Sequence, residues 1–142
     1  MQRQEVLVAC LAAAPRPLSP VQVQKALFLL DKNAAPLTDG PHFAFEPYDY
    51  GPFDRRIYTD LSNLSAEGVV EIRGGELSKS RRYGLTQEGQ ERGNAILEQM
   101  APQLREYFKG VATWVSGLSF TQLVSAIYKA YPEMKVNSVF TE

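Results

Sequence analysis

The stretch around Gly68 constrains this chain more than any other. Ile57, Leu61 and Leu64 recur at intervals of four and three, the spacing of one helix face. Gly68 ends that helix, because glycine takes up the left-handed conformation that closes a helix at little steric cost. The hydrophobic period then changes at once. Val69 to Arg73 reads as a strand, Gly74-Gly75 and its polar neighbours as a turn, and Arg81 to Leu85 as a returning strand. So short a connection joins antiparallel strands and leaves no room for the crossover a parallel sheet needs.

The segments upstream are helical. Residues 5–14 carry Val6, Leu7, Cys10 and Leu11 on one face, and Pro15-Arg16-Pro17 breaks the pattern. Ser19 is an N-cap, Pro20 occupies the first helical position, and Gln22 completes a capping box. The helix that follows runs to about Lys32, with Val23, Ala26, Leu27 and Leu30 inward. Phe28 and Leu29 widen the stripe, which predicts a central helix. Residues 33–51 open with turn chemistry and continue as a short extended segment at 42–46, with Phe43, Phe45 and Tyr48 on one side. Pro52 is expected to open the next helix, over 53–67.

Downstream, Thr86 caps a helix that reaches about Met100, and Pro102 begins another carrying Leu104, Tyr107, Phe108, Val111 and Val115. Ser119 and Gln122 repeat the capping box before a last helix, with Leu123, Val124, Ile127, Tyr128 and Tyr131, which Pro132 stops. Residues 133–142 show no period.

Three helices followed directly by a hairpin make a winged helix. The expected fold class is therefore mainly α with a small β-hairpin. The 142 residues read as a single domain, with a core over about 3–101 and C-terminal helices over about 102–132. Those helices either cover the core or supply a homodimer surface. Trp114, in register with Tyr107, Phe108 and Val111, fits both versions.

Composition narrows the function. No apolar run approaches the ~20 residues that span a bilayer. The segment Val6 to Ala14 is too short for a leader and reads as a core helix. A single cysteine, Cys10, excludes an internal disulfide and a cysteine-rich zinc site, and it fits a reducing compartment, so a cytoplasmic protein is expected. The net charge is −1, so DNA binding needs a local basic patch.

Two clusters are candidates for contact with a partner. Tyr48, Tyr50, Arg55, Arg56 and Tyr58, with Phe53, Asp49 and Asp54 among them, combine the residue types that dominate protein-binding hot spots. The plainer reading puts Tyr50 and Phe53 in the core beneath a turn formed by Gly51 and Pro52. Arg55, Arg56, Arg73, Lys79, Arg81 and Arg82 make the second cluster, a basic face suited to DNA phosphates. Glu67, Glu71 and Glu76 dilute it, and the plainer reading is a solvated hairpin.

Nothing in the sequence assembles a catalytic or metal site. Cys10 and His42 are each alone, with Cys10 on an apolar face and His42 in a loop. Glu46, Asp49, Asp54 and Asp60 have no specific spacing; Asp54 suits a helix N-terminus and Asp60 a solvent face. No cofactor and no enzymatic activity are expected.

The stretches Val23-Gln24-Lys25-Ala26-Leu27-Phe28-Leu29-Leu30 and Phe45-Glu46-Pro47-Tyr48-Asp49-Tyr50-Gly51-Pro52-Phe53 stand out as motifs. With the helix of Tyr58, Asp60, Leu61 and Leu64 that leads to Glu67-Gly68-Val69-Val70, they resemble the Panacea (SocA-like) family and the related YwgA-type bacterial proteins. The likeness covers about residues 20–72. Phe53 and the basic pair after it depart from the aliphatic residue common in Panacea proteins and lie closer to the YwgA type. The resemblance implies a bacterial or phage regulatory protein. Many Panacea domains look like antitoxins that block a toxin by direct contact. The expected function is thus a non-catalytic domain that binds a protein partner, such as a toxin. The alternative is a DNA-binding transcriptional regulator.

Overall fold

The computed structural model describes residues 1–75 and 79–141; Glu76, one of the acidic residues expected to dilute the basic face, lies outside them. The fold is mainly helical with two small antiparallel strand pairs. In order come α1 (Arg3–Ala13), α2 (Pro20–Thr38), β1 (Glu46–Tyr48), β2 (Gly51–Phe53), α3 (Arg56–Ala66), β3 (Val70–Arg73), β4 (Arg82–Leu85), α4 (Gln87–Gln99), α5 (Pro102–Ser116) and α6 (Phe120–Ala130). A 3-10 turn, Pro132–Lys135, follows. Among the described residues, no helix is long and apolar enough to cross a membrane.

Both expected capping boxes form. Ser19 and Ser119 each accept a hydrogen bond from the backbone of the glutamine three residues on, and each glutamine side chain returns one. Thr86 caps α4 by accepting from Gly89. Val70 faces Leu85 and Arg73 faces Arg82 across the β3–β4 hairpin, which follows α3 directly. Leu18 exchanges backbone hydrogen bonds with Tyr83, at 2.9 and 2.8 Å, so the segment between α1 and α2 lies along β4.

α1 is more deeply placed than its stripe implies. Val6 through Leu11 are all buried, including Val8 and Ala9. A helix apolar on all sides belongs inside a structure, and α1 packs against α2, α4 and α5 together. Its contact with α4 depends on Gly93: a Cβ there would lie 2.4 Å from the Ala12 Cβ. One continuous hydrophobic core joins residues of α1, α2, α3, the hairpin, α4, α5 and α6.

Four expectations about the elements and their packing need correction here. α2 does not stop near Lys32; residues 33–38 continue it through Pro36, and Asp39 closes it in a left-handed conformation. Burial of Ala34 and Thr38 holds this last turn despite the hydrogen bond that Pro36 cannot make. The extended segment is not 42–46 but β1, paired with β2. Pro52 lies in β2, opposite Pro47, and α3 begins only at Arg56. Proline has no N–H for a ladder, and this pair fits a position where the strands exchange no hydrogen bond.

The last correction concerns Asp60, which is buried rather than solvent-facing. It forms a two-point ion pair with Arg3, at 2.8 and 3.0 Å, that ties α3 to α1.

Candidate functional site

α2 is a core helix, yet it buries Gln24, Lys25 and Asp31. Buried polar groups are costly unless hydrogen-bonded, and each of these three is bound to the main chain of the segment 42–54. Gln24 Nε2 donates to the Asp54 carbonyl and Gln24 Oε1 accepts from the Asp54 N–H, both at 3.0 Å. Lys25 Nζ donates to the Pro52 carbonyl at 3.1 Å. The Asp31 carboxylate accepts from the backbone of His42 and Phe43, at 2.8 and 3.1 Å.

Asp54 completes the clamp. Its carboxylate accepts from the N–H groups of Ala44 and Arg56, both at 2.9 Å, and pairs with the Arg56 guanidinium at 3.0 Å. Burial alone would raise this carboxyl. The hydrogen bonds from Arg56 and Ala44 outweigh burial and hold it below the ordinary carboxylate range. These contacts explain the late start of α3: residues 52–54 are held extended from below, and Asp54 satisfies the Arg56 N–H at the start of the helix.

The clamped segment carries an exposed turn. Gly51 has φ +102°, a conformation that other residues rarely adopt, and the turn lifts Tyr48 and Tyr50 into solvent with 49% and 44% of their surfaces exposed. This corrects the core position expected for Tyr50. Phe53 is half-buried and stacks on Tyr48, with ring centres 5.1 Å apart. The series continues through Tyr58 to Tyr83 of the hairpin. On the other side, Tyr50 meets Phe120 of α6 edge to face at 5.0 Å, and Phe120 meets Phe140.

Between the two aromatic walls lies a cavity of about 290 Å³, lined by Lys25 and Gln24 below and by Tyr48, Tyr50, Tyr58 and Phe120 around it. Lys25 is only 3% exposed, and burial pushes its ammonium down to about 7. Burial pushes the Tyr58 phenol up to about 12.

Three contributors were not expected from the sequence. Phe120 sits at the start of α6, where it reads as an ordinary helix residue. Lys25 reads as the polar side of α2; its one sequence signal is its position inside an otherwise apolar run. The aperiodic tail supplies the third. Asn137 donates to the Pro47 carbonyl at 3.2 Å, and the Val139 N–H and Ser138 hydroxyl donate to the Asp49 carbonyl at 2.9 and 3.2 Å.

The six basic residues are engaged differently. Arg56 is held by Asp54, and Arg73 pairs with Glu71. Arg81 donates to the Tyr83 hydroxyl at 3.1 Å and lies over its ring. Arg82 donates to the carbonyls of Lys79 and Arg81, at 3.1 and 2.7 Å. Lys79 is exposed in the hairpin turn. Arg55 is exposed, and its side chain makes no hydrogen bond or ion pair with a described residue.

Cys10 is buried, and burial pushes its thiol up to about 12. His42 is half-buried, with Nε2 2.6 Å from the Thr38 carbonyl oxygen. Among the described residues, no group of three His, Cys, Asp or Glu side chains is arranged to hold a metal ion. The stripe of α5 divides: Phe108, Val111 and Val115 are buried within the chain, while Trp114 is 43% exposed. No protein-family model, curated protein or solved structure matches this chain.

Proposed function

We propose that this chain is a non-catalytic, winged-helix regulatory domain that acts by binding a protein, in the manner of an antitoxin that blocks its toxin by contact. The run of α3 straight into the β3–β4 hairpin supports the winged-helix reading, as does the pairing of Leu18 with Tyr83. The resemblance of residues 20–72 to Panacea proteins supports the antitoxin role.

One observation carries the binding site. Tyr48 and Tyr50 are exposed aromatics on a turn that buried polar side chains fix in place, and the exposed Phe120 of α6 lies against Tyr50. Exposed aromatic anchors are the usual hot spots of protein interfaces, and a surface already fixed loses little entropy on docking. Arg55, close to them in sequence, adds an exposed guanidinium with no side-chain partner among the described residues, and Tyr58 lines the same cavity. Arg56 is committed to Asp54 and serves the fold of the turn.

The DNA-binding reading has less support. Phosphate contacts call for guanidinium groups free to meet them, and Arg56, Arg73, Arg81 and Arg82 all have partners within the chain.

The test is capture of a partner from the native host with tagged wild type, Tyr48→Ala and Tyr50→Ala. The expected result is one protein retained by wild type and absent, or reduced about fivefold or more, with each variant. The captured protein, expressed alone, should arrest growth, and co-expression with this chain should relieve it. Equal capture by all three chains would remove the face from the reading. A captured protein without growth arrest would remove the antitoxin role.

A further inference from the structure

Lys25 is placed where an uncharged side chain would cost less. It belongs to a core helix, it is 3% exposed, and Val23, Ala26, Leu27 and Phe28 around it are buried. An ammonium has three donors, and the one acceptor for Lys25 among the described residues is the Pro52 carbonyl. Among those residues it also forms no ion pair; Asp49 lines the same cavity without pairing to it. A buried charge of this kind normally has a counter-ion. Its surroundings are also suited to a ligand. The cavity above it holds about 290 Å³, opens between Tyr48, Tyr50 and Phe120, and has Tyr58 on its wall.

We propose that this cavity is a carboxylate subsite, and that it receives an acidic side chain flanked by aromatic residues from the partner protein, with Lys25 Nζ as the counter-ion. The inference rests on the protein-binding reading above and names the chemistry of the segment recognised. The cation at the floor selects against a basic side chain. The aromatic walls fit rings on either side of the acid, by edge and face contacts of the kind Tyr50 and Phe120 already make. Near neutral pH the amine is close to its titration point, with burial as the cause, so a carboxylate that pairs with it also draws a proton onto it. The other titratable groups facing the cavity are Asp49, Tyr48, Tyr50 and Tyr58, and Tyr128 packs beside Gly51 next to the Lys25 amine.

The probes are two capped peptides, acetyl-Phe-Glu-Phe-amide and acetyl-Phe-Gln-Phe-amide. They are titrated into the full chain while the Gly51 amide and the Lys25 Cε are followed by nuclear magnetic resonance. At about pH 6 the Glu peptide should shift both signals and bind about tenfold more tightly than the Gln peptide. Toward about pH 9 that preference should fall, because the amine loses its charge. The Gln peptide at each pH corrects for titration of the other groups. Lys25→Met should bind both peptides equally at both pH values. If that variant fails to fold, the pH series on wild type decides alone.

Equal binding of the two peptides by wild type at about pH 6, with both shifting Gly51, overturns the subsite and leaves the protein-binding face standing. Absence of any shift at Gly51 or Lys25 from either peptide at millimolar concentration also overturns the subsite. The partner capture with Tyr48→Ala and Tyr50→Ala then judges the binding face independently.

Discussion

The side-chain amide of Gln24 binds both backbone groups of Asp54, as a neighbouring strand would, with each hydrogen bond at 3.0 Å. Thirty residues separate the two in sequence. The contact joins a core helix to the main chain that carries the aromatic turn, and it lies one position along α2 from the Lys25 contact to Pro52.

Gln24→Leu keeps the volume and removes both hydrogen bonds. The Asp54 N–H is then left buried without its partner, and such a group costs roughly 1–3 kcal/mol. We expect a loss of about 2 kcal/mol in urea denaturation, with the slope unchanged. An unaltered midpoint would show that the Asp54 backbone finds another partner.

Lys25 makes stability depend on pH. Its folded value, about 7, lies below its unfolded value near 10.5, so between these limits the unfolded chain binds the extra proton. Stability from this group therefore rises with pH through that window, by about 1.4 kcal/mol per unit at most, and the penalty is full below it. Lys25→Met should be more stabilising at pH 6 than at pH 9.5. Thermal melts of both chains at the two values check this; a pH-independent difference would contradict it.

Gly93→Ala should destabilise the chain by about 1–3 kcal/mol, since the new methyl meets Ala12 at 2.4 Å and overpacks the α1–α4 contact. In the double variant Ala12→Gly with Gly93→Ala, part of the stability should return. Denaturation midpoints of the set decide it.

Cys10 is a packing residue in this fold. Cys10→Ala should cost on the order of 1 kcal/mol and leave partner capture intact. Alkylation of the native thiol should be slow, because burial keeps it protonated. Rapid labelling of folded protein would show that α1 opens.

Binding to duplex DNA is expected to be absent in an electrophoretic shift assay at low salt. A shift that appears, and whose salt dependence the double change Arg81→Ala with Arg82→Ala lowers by roughly one unit for each phosphate left unneutralised, would give the regulator reading precedence.

The parts of this fold legible in the sequence are those governed by local chemistry. Ser19, Ser119 and Thr86 cap helices because short hydroxyl side chains reach nearby backbone N–H groups, whatever else surrounds them. The hairpin was equally legible, since its change of period is local. The segment 33–54 was not. Pro36 and Pro52 are strong local signals for a break and a helix start, but burial of Thr38 and the hydrogen bonds from Gln24 and Lys25 override them. Those are contacts across the fold, which periodicity does not record.

The candidate face divides in the same way. Tyr48, Tyr50, Arg55 and Tyr58 are visible from residue type, because they lie together in sequence. Phe120 joins them from a helix that begins some seventy residues later, and Lys25 joins as a charge in a helix whose pattern reads as core. Asp60 reads as solvent-facing because its partner, Arg3, lies 57 residues earlier in sequence.

The bonds from Asn137, Ser138 and Val139 to the carbonyls of Pro47 and Asp49 span about ninety residues. Contacts this distant in sequence form late, after the local ones have closed. During synthesis, α1, α2 and the hairpin emerge well before the tail that secures the turn. The surface bearing Tyr48 and Tyr50 is thus the last part of the described chain to be finished, and a released chain cut before Asn137 would keep the core and the bonds from Gln24 and Lys25 while this turn lacked its latch from the tail.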